Sequence, residues 1–131
     1  FVKGGWLEEY AFESLASVSG IRDKAANLAV QSSDGVKNEM DIAFLARNRL
    51  FVIECKTARM DRPEAPKAND ALFKLAENCR RIGGLGTKGM LLSYRALREA
   101  EQGLAKALNI EVVSGKDISR LSEKIKRWIG A

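Results

Sequence analysis

Residues 38–58 read NEMDIAFLARNRLFVIECKTA, and this stretch decides the fold class. It holds two apolar, strand-like runs, 38–46 and 50–58, which are separated by the polar residues Arg47, Asn48 and Arg49. Two such runs around a short polar segment predict an antiparallel hairpin. The hairpin interrupts a chain whose other periodic segments alternate between helix and strand.

The flanking segments complete an α/β pattern. We expect a helix over 6–18 and a strand over 27–32 before the hairpin, and an exposed connection over 59–69 that carries both prolines after it. There follow a helix over 70–82, a strand over 89–94, a helix over 96–108, a strand over 110–114 and a helix over 119–129. This order predicts a mixed β-sheet, a β-meander followed by αβ units, flanked by helices.

Composition limits the possible chemistry. The 131 residues suit one domain, and the absence of histidine excludes histidine-based triads, a histidine general base and His-ligated zinc. Two cysteines are too few for a disulfide framework, so we expect a reducing, cytoplasmic location. No membrane span or secretory signal is visible. The net charge of +5 permits an anionic partner, and the start at Phe1 leads us to expect a piece of a longer protein.

The hairpin carries an unusual set of polar side chains. Glu54 and Lys56 lie two residues apart on one strand and therefore point to the same face. A two-residue turn at Arg47-Asn48 would place Asp41 opposite Glu54, whereas a turn at Asn48-Arg49 would place it opposite Lys56. A turn of odd length would place Asp41 on the wrong face unless a bulge restored the phase.

Two carboxylates this close together have a clear use. They repel each other unless a cation lies between them, and oxygen ligands favour Mg²⁺ or Mn²⁺. Such a metal activates water and offsets phosphate charge, while Lys56 would orient or deprotonate the water or stabilise the transition state. Glu8 falls on the apolar arc of the first helix and needs a partner there, so we expect it to reach the same metal or its hydration shell. The alternative is a buried salt-bridge triad.

The residues resemble a known pattern. Asp41, followed after twelve residues by Glu54-Cys55-Lys56, is similar to the PD-(D/E)xK nuclease core of the restriction-endonuclease-like fold. More closely, residues 5–10 (GWLEEY), 38–41 (NEMD) and 53–57 (IECKT) resemble the nuclease domain of CRISPR-associated ancillary nucleases. Those proteins join this domain to an upstream CARF-type sensor of cyclic oligoadenylates. The proline of the motif is replaced here by Met40.

The resemblance implies a metal-dependent endonuclease that acts on DNA or RNA in antiviral defence. Asp41 and Glu54 would be metal ligands, Lys56 the catalytic lysine and Glu8 a further acidic residue, with Glu39 and Thr57 assisting. Residues 1–131 would form the C-terminal domain of a longer, homodimeric protein with an upstream sensor domain. A non-catalytic nucleic-acid-binding or dimerisation domain, and a junction-resolvase or restriction-type endonuclease outside CRISPR, remain the alternatives.

Basic residues follow the hairpin, and two tryptophans lie near the ends of the chain. Arg59, Arg62 and Lys67 follow the hairpin and are candidates for phosphate contacts, with a solvated surface as the alternative. We expect Trp6 and Trp128 to take part in core or interface packing rather than in base stacking.

Overall fold

The computed structural model describes residues 5–31, 35, 37–57, 68–83 and 86–130. Within these residues helices and strands follow one another in the order α1 (Gly5–Ser14), β1 (Ile21–Gln31), β2 (Lys37–Ala46), β3 (Arg49–Lys56), α2 (Ala68–Gly83), β4 (Lys88–Ser93), α3 (Glu99–Ala107), β5 (Ile110–Ser114) and α4 (Leu121–Gly130). Short 3₁₀ helices, Leu15–Ser17 and Gly115–Arg120, follow α1 and precede α4.

The five strands form one mixed sheet in the order β1-β2-β3-β4-β5. The first three strands are antiparallel, as in a meander, and β3, β4 and β5 run parallel. Each parallel connection passes through a helix, because parallel neighbours cannot be joined by a tight turn. The predicted α/β architecture, a meander followed by αβ units, is confirmed.

Helices cover both faces of the sheet and divide the interior into two cores. On one face, α1 and α4 pack against side chains such as Ile42, Ile53 and Leu92. On the other, α2 and α3 pack against Val52, Leu91 and their neighbours. The strands are therefore apolar on both sides, as expected for a sheet buried between two helical layers.

The hairpin anchors the first core. Phe44 and Phe51 are cross-strand neighbours whose rings stack with centroids 5.1 Å apart. Trp128 of α4 stands nearly perpendicular to both rings, with its centroid 6.1 Å from Phe44 and 4.9 Å from Phe51. Offset and edge-to-face arrangements of this kind are those that aromatic quadrupoles favour. The expectation that Trp128 packs in the core is confirmed.

The first strand differs from its prediction. It begins at Ile21 rather than at residue 27 and pairs with the full length of β2. The charged residues Arg22, Asp23 and Lys24 are exposed. Because β1 is an edge strand, backbone pairing with β2 holds these residues in the sheet without an apolar alternation that a sequence pattern could reveal. None of the helices in the described ranges is long and apolar enough to span a membrane.

Candidate metal-dependent active site

The site is formed where β2 and β3 separate. Their ladder extends from Ala46↔Arg49 to Ile42↔Ile53, and the turn consists of Arg47 and Asn48, whose φ angles are +53° and +60°. Two successive left-handed residues are the signature of the tight hairpin turn that suits the twist of the strands. The turn thus selects the first of the two predicted registers, which places Asp41 opposite Glu54.

Asp41 lies where β2 and β3 separate. The register would place Cys55 opposite Met40, but the Cys55 N–H donates instead to the Asp41 carboxylate, with 2.8 Å between N and Oδ2. The carboxylate therefore takes the place of a backbone acceptor. Because this hydrogen bond ties it to β3, the Asp41 side chain is held between the two strands next to Glu54.

A local twist of the edge strand accompanies this change. Asn27 lies between Ala26↔Ile42 and Leu28↔Met40, across from Asp41, and has a φ angle of +54°. Ile42 belongs to the first core and Met40 to the second, although residues two apart on a regular strand share one face. The strand pair therefore rotates at Asp41, which frees this side chain from both cores.

Glu54 and Lys56 follow on β3, and both are half-buried. Burial, together with the negative charge of Asp41, raises the pKa of Glu54 to about 7 against the opposing effect of Lys56. Burial also raises the pKa of Asp41, against the opposing effect of the Cys55 N–H. Both carboxyl groups thus resist ionisation in the protein alone, as expected for an acidic pair that lacks a cation.

Glu8 approaches Asp41 and Glu54 from α1, in the helical layer that covers the first core. Leu7 and Ala11 are fully buried and hold α1 against the sheet. The Glu8 Oε1 atom is buried, and it has no hydrogen-bond partner among the described residues. Burial raises the pKa of Glu8, and the charge of Asp41 raises it further. Glu8 thus has a buried oxygen without a hydrogen-bond partner among the described residues, and it lies within electrostatic reach of Asp41.

Lys74 of α2 also acts on the site, and the sequence analysis missed it. Its positive charge lowers the pKa of both Asp41 and Glu54. Leu72 and Leu75 are buried on either side of it, and α2 lies so close to β4 that a Cβ on Gly89 would be 2.9 Å from the Cys79 Sγ. This close packing sets the position from which the exposed Lys74 ammonium approaches the carboxylates.

The donor set fits a hard divalent cation. Asp41 and Glu54 offer carboxylate oxygens on neighbouring groups that resist ionisation, and Glu8 adds a buried oxygen without a hydrogen-bond partner among the described residues. No group of three or more acidic or cysteine side chains in the described ranges is close enough to form a complete metal cage. Mg²⁺ does not require one, because it keeps several waters and is often held by one or two carboxylates.

The other predicted site residues are less informative. Thr57 directly follows β3 and is half-buried, and Glu39 is exposed on β2. Arg59, Arg62 and Lys67 lie outside the described residues.

Substitution of Asp41 separates its structural role from its charge. We expect Asp41→Asn to exceed Asp41→Ala in free energy of unfolding by about 1–3 kcal/mol, because only Asn retains an acceptor for the Cys55 N–H. Both variants lose the negative charge, so their difference isolates the hydrogen bond. Urea denaturation in EDTA measures it, and equal stabilities of the two variants would contradict the assigned role.

Comparison with known proteins identifies related domains. A family model described as the Card1-like endonuclease domain matches residues 1–131. Can2 from Sulfobacillus thermosulfidooxidans, solved in complex with cyclic tetra-adenylate, is 31% identical with a TM-score of 0.84, over 98% of this chain and 36% of that one. Protein VC1899 from Vibrio cholerae is 27% identical with a TM-score of 0.76, over 95% of this chain and 32% of that one.

A more distant structure agrees in fold. The small subunit of the heterodimeric restriction endonuclease R.BspD6I is 12% identical with a TM-score of 0.59, over 93% of this chain and 69% of that one. The predicted restriction-endonuclease-like fold is therefore confirmed. No curated protein matches the chain significantly. The chain spans about a third of the length of Can2 and of VC1899.

Proposed function

Since the chain belongs to the Card1-like endonuclease domain family, we propose that it hydrolyses phosphodiester bonds of DNA or RNA with the help of Mg²⁺ or Mn²⁺. One observation carries this proposal: Asp41 is held between β2 and β3 by the Cys55 N–H, next to Glu54 and Lys56. The arrangement combines the residues of the PD-(D/E)xK pattern at one half-buried point of the sheet.

Each side chain has a role that follows from its charge and position. Asp41 and Glu54 would hold the cation, and Glu8 would accept hydrogen bonds from its hydration shell. The cation would supply an activated water and would offset charge on the scissile phosphate. Lys56 would orient that water or stabilise the charge that develops on the phosphate in the transition state. Lys74 adds a second positive charge from α2, which lies on the other face of the sheet from α1.

We further propose that the chain is the nuclease domain of a longer CRISPR ancillary nuclease. In support, it spans about a third of Can2, whose structure contains cyclic tetra-adenylate. An upstream sensor domain would bind a cyclic oligoadenylate and control cleavage, and two copies would form a homodimer. The proposal predicts that cyclic tetra-adenylate stimulates the longer protein and has no effect on residues 1–131 alone.

Metal removal tests the proposed chemistry. We expect cleavage of plasmid DNA, single-stranded DNA or RNA in Mn²⁺ or Mg²⁺, its complete loss in EDTA, and its recovery when metal is added in excess. Isothermal titration should show Mn²⁺ binding that weakens below pH 7, because protons compete for Glu54. Gel analysis of the products measures cleavage.

The controls separate the metal from other causes. Glu9→Gln removes an exposed carboxylate one residue from Glu8, so it should retain both cleavage and Mn²⁺ binding. Cleavage that persists in EDTA would contradict the proposed function, since the chain has no histidine with which to activate water.

A further inference from the structure

Two exposed aromatic side chains lie at the end of the sheet that carries the site. Trp6, in the first turn of α1, is 37% exposed, and Tyr94, directly after β4, is 57% exposed. Their ring centroids are 5.6 Å apart and their planes are nearly perpendicular, at 86°. We call these two residues the aromatic pair. Of the two expectations for Trp6, core packing is not met, because Leu7 and Ala11 anchor α1 instead, and interface packing stays a prediction.

The aromatic pair is tied to the catalytic strand. The Tyr94 N–H donates to the Lys56 carbonyl oxygen at 2.9 Å, so Tyr94 continues the contact between β3 and β4 one residue past the last pair, Lys56↔Ser93. Its main chain is therefore fixed next to Lys56. The ring of Tyr94, which carries Trp6 against it, lies at the end of the sheet at which Glu54 and Lys56 are found.

Trp6 and Glu8 extend toward opposite sides of α1. Side chains two residues apart leave a helix about 200° from each other. Trp6 contacts Tyr94 on the β4 side, whereas Glu8 lies within electrostatic reach of Asp41 on the β2 side. Along the sheet, β3 with Glu54 and Lys56 lies between β2 and β4. Their side chains alternate onto the second-core face with Val52, whereas the aromatic pair lies on the first-core face with α1. The aromatic pair therefore lies at the same end of the sheet as the site, on the face that α1 covers and from which Glu8 acts on Asp41.

We propose that the aromatic pair is a subsite that stacks one nucleobase of the substrate beside the scissile phosphate. The inference rests on the proposed function, since a phosphodiester bound at Glu54 and Lys56 brings a base to each side of the phosphate. Aromatic rings bind bases through their faces, without regard to sequence. In an edge-to-face pair, one ring covers only one face of the other, so ring faces stay open to a ligand.

A stacked base has to leave its own helical stack. The subsite therefore binds a nucleotide that is unpaired, or that becomes unpaired when the protein binds. The positive charges of Lys56 and Lys74 attract the phosphates, while the aromatic pair sets which phosphate lies over Asp41 and Glu54. The pair thus positions the substrate, and the carboxylates and Lys56 carry the reaction.

An abasic-site scan tests the subsite. Single-stranded 20-mers, each with one abasic position, are titrated in EDTA by fluorescence anisotropy and then cleaved in Mn²⁺. We expect an abasic position next to the cleaved bond to weaken binding to the unsubstituted protein by about 5- to 100-fold. Trp6→Ala should weaken binding of the intact 20-mer to a similar degree and should abolish discrimination against that abasic position. Trp6→Phe should restore most of the discrimination, because a ring face is retained.

The abasic-site scan has a matched control variant on α2. Phe73→Ala removes an exposed aromatic ring, 54% accessible, from α2 and should leave the abasic profile unchanged. A flat abasic profile, or Trp6→Ala that keeps the discrimination, would overturn the subsite even if cleavage continued. Loss of self-association in Trp6→Ala with normal base discrimination would assign the pair to a second copy of the chain and overturn the proposal. Base discrimination without cleavage under any metal would instead support the subsite and contradict the proposed nuclease function.

Discussion

Glu54→Gln and Lys56→Met should each reduce phosphodiester cleavage by at least about 100-fold. Gln at position 54 keeps the shape of the side chain but supplies no negative charge to a cation, so Mn²⁺ binding should weaken together with cleavage. Met at position 56 keeps the length of lysine but removes the ammonium group. We therefore expect Lys56→Met to retain Mn²⁺ binding and to lose turnover.

The two variants are compared in the same assays. Single-turnover cleavage of a labelled oligonucleotide gives the rate, and isothermal titration gives the affinity for Mn²⁺. Glu9→Gln and Lys106→Met serve as matched controls, because both are exposed helix residues that have no part in the proposed site. Undiminished cleavage by Glu54→Gln would remove Glu54 from the site, and lost Mn²⁺ binding in Lys56→Met would make this lysine a structural rather than a catalytic residue.

Glu54→Gln should also make the metal-free protein more stable at pH 8. The folded protein holds the Glu54 proton up to about pH 7, whereas the unfolded chain releases it near the ordinary value of 4.5. Between these values the folded state binds more protons than the unfolded state, so this group lowers the free energy of unfolding as the pH rises. The loss amounts to up to about 3 kcal/mol at pH 8, at about 1.4 kcal/mol per pKa unit.

Gln escapes this penalty because it stays neutral. We expect the variant to exceed the unsubstituted protein in stability by up to about 3 kcal/mol at pH 8 in EDTA, with the difference vanishing near pH 4.5. Added Mn²⁺ should reverse the order, because only an ionised Glu54 contributes fully to binding the cation. Urea denaturation at several pH values measures the effect. If the variant were no more stable than the unsubstituted protein at pH 8, burial beside Asp41 would not destabilise the ionised Glu54 carboxylate.

Local sequence patterns predicted most of the fold. The hairpin could be recognised because its two apolar runs and polar turn are all encoded within about twenty residues. The alternation of helical and strand periods then indicated a mixed sheet between helical layers, as observed. Glu54 and Lys56 were found because charged residues interrupt an apolar strand. The start of β1 was misplaced, since the pairing of an edge strand leaves little pattern in its own sequence, and α1 and α3 are shorter than predicted.

Parts of the candidate site could not be inferred in this way. Lys74 lies on an ordinary exposed position of an amphipathic helix, and its effect on Asp41 and Glu54 arises only because α2 packs closely on β4. The contact between Trp6 and Tyr94 joins residues 88 positions apart, at the ends of two different elements. Neither contact has a local signal, because each depends on how the helices are oriented over the sheet.

By itself, the sequence determined the chemistry available to this protein. An oxygen-only donor set with one strand lysine, and no histidine, points to a hard divalent cation, and side-chain alternation places Glu54 and Lys56 on one face. Only the tertiary structure decided which carboxylates meet. The hairpin turn at Arg47 and Asn48 selected the register, and the separation of β2 from β3 left the Cys55 N–H for Asp41 to bind. Register and separation depend on the pairing of whole strands, which no single stretch of residues encodes.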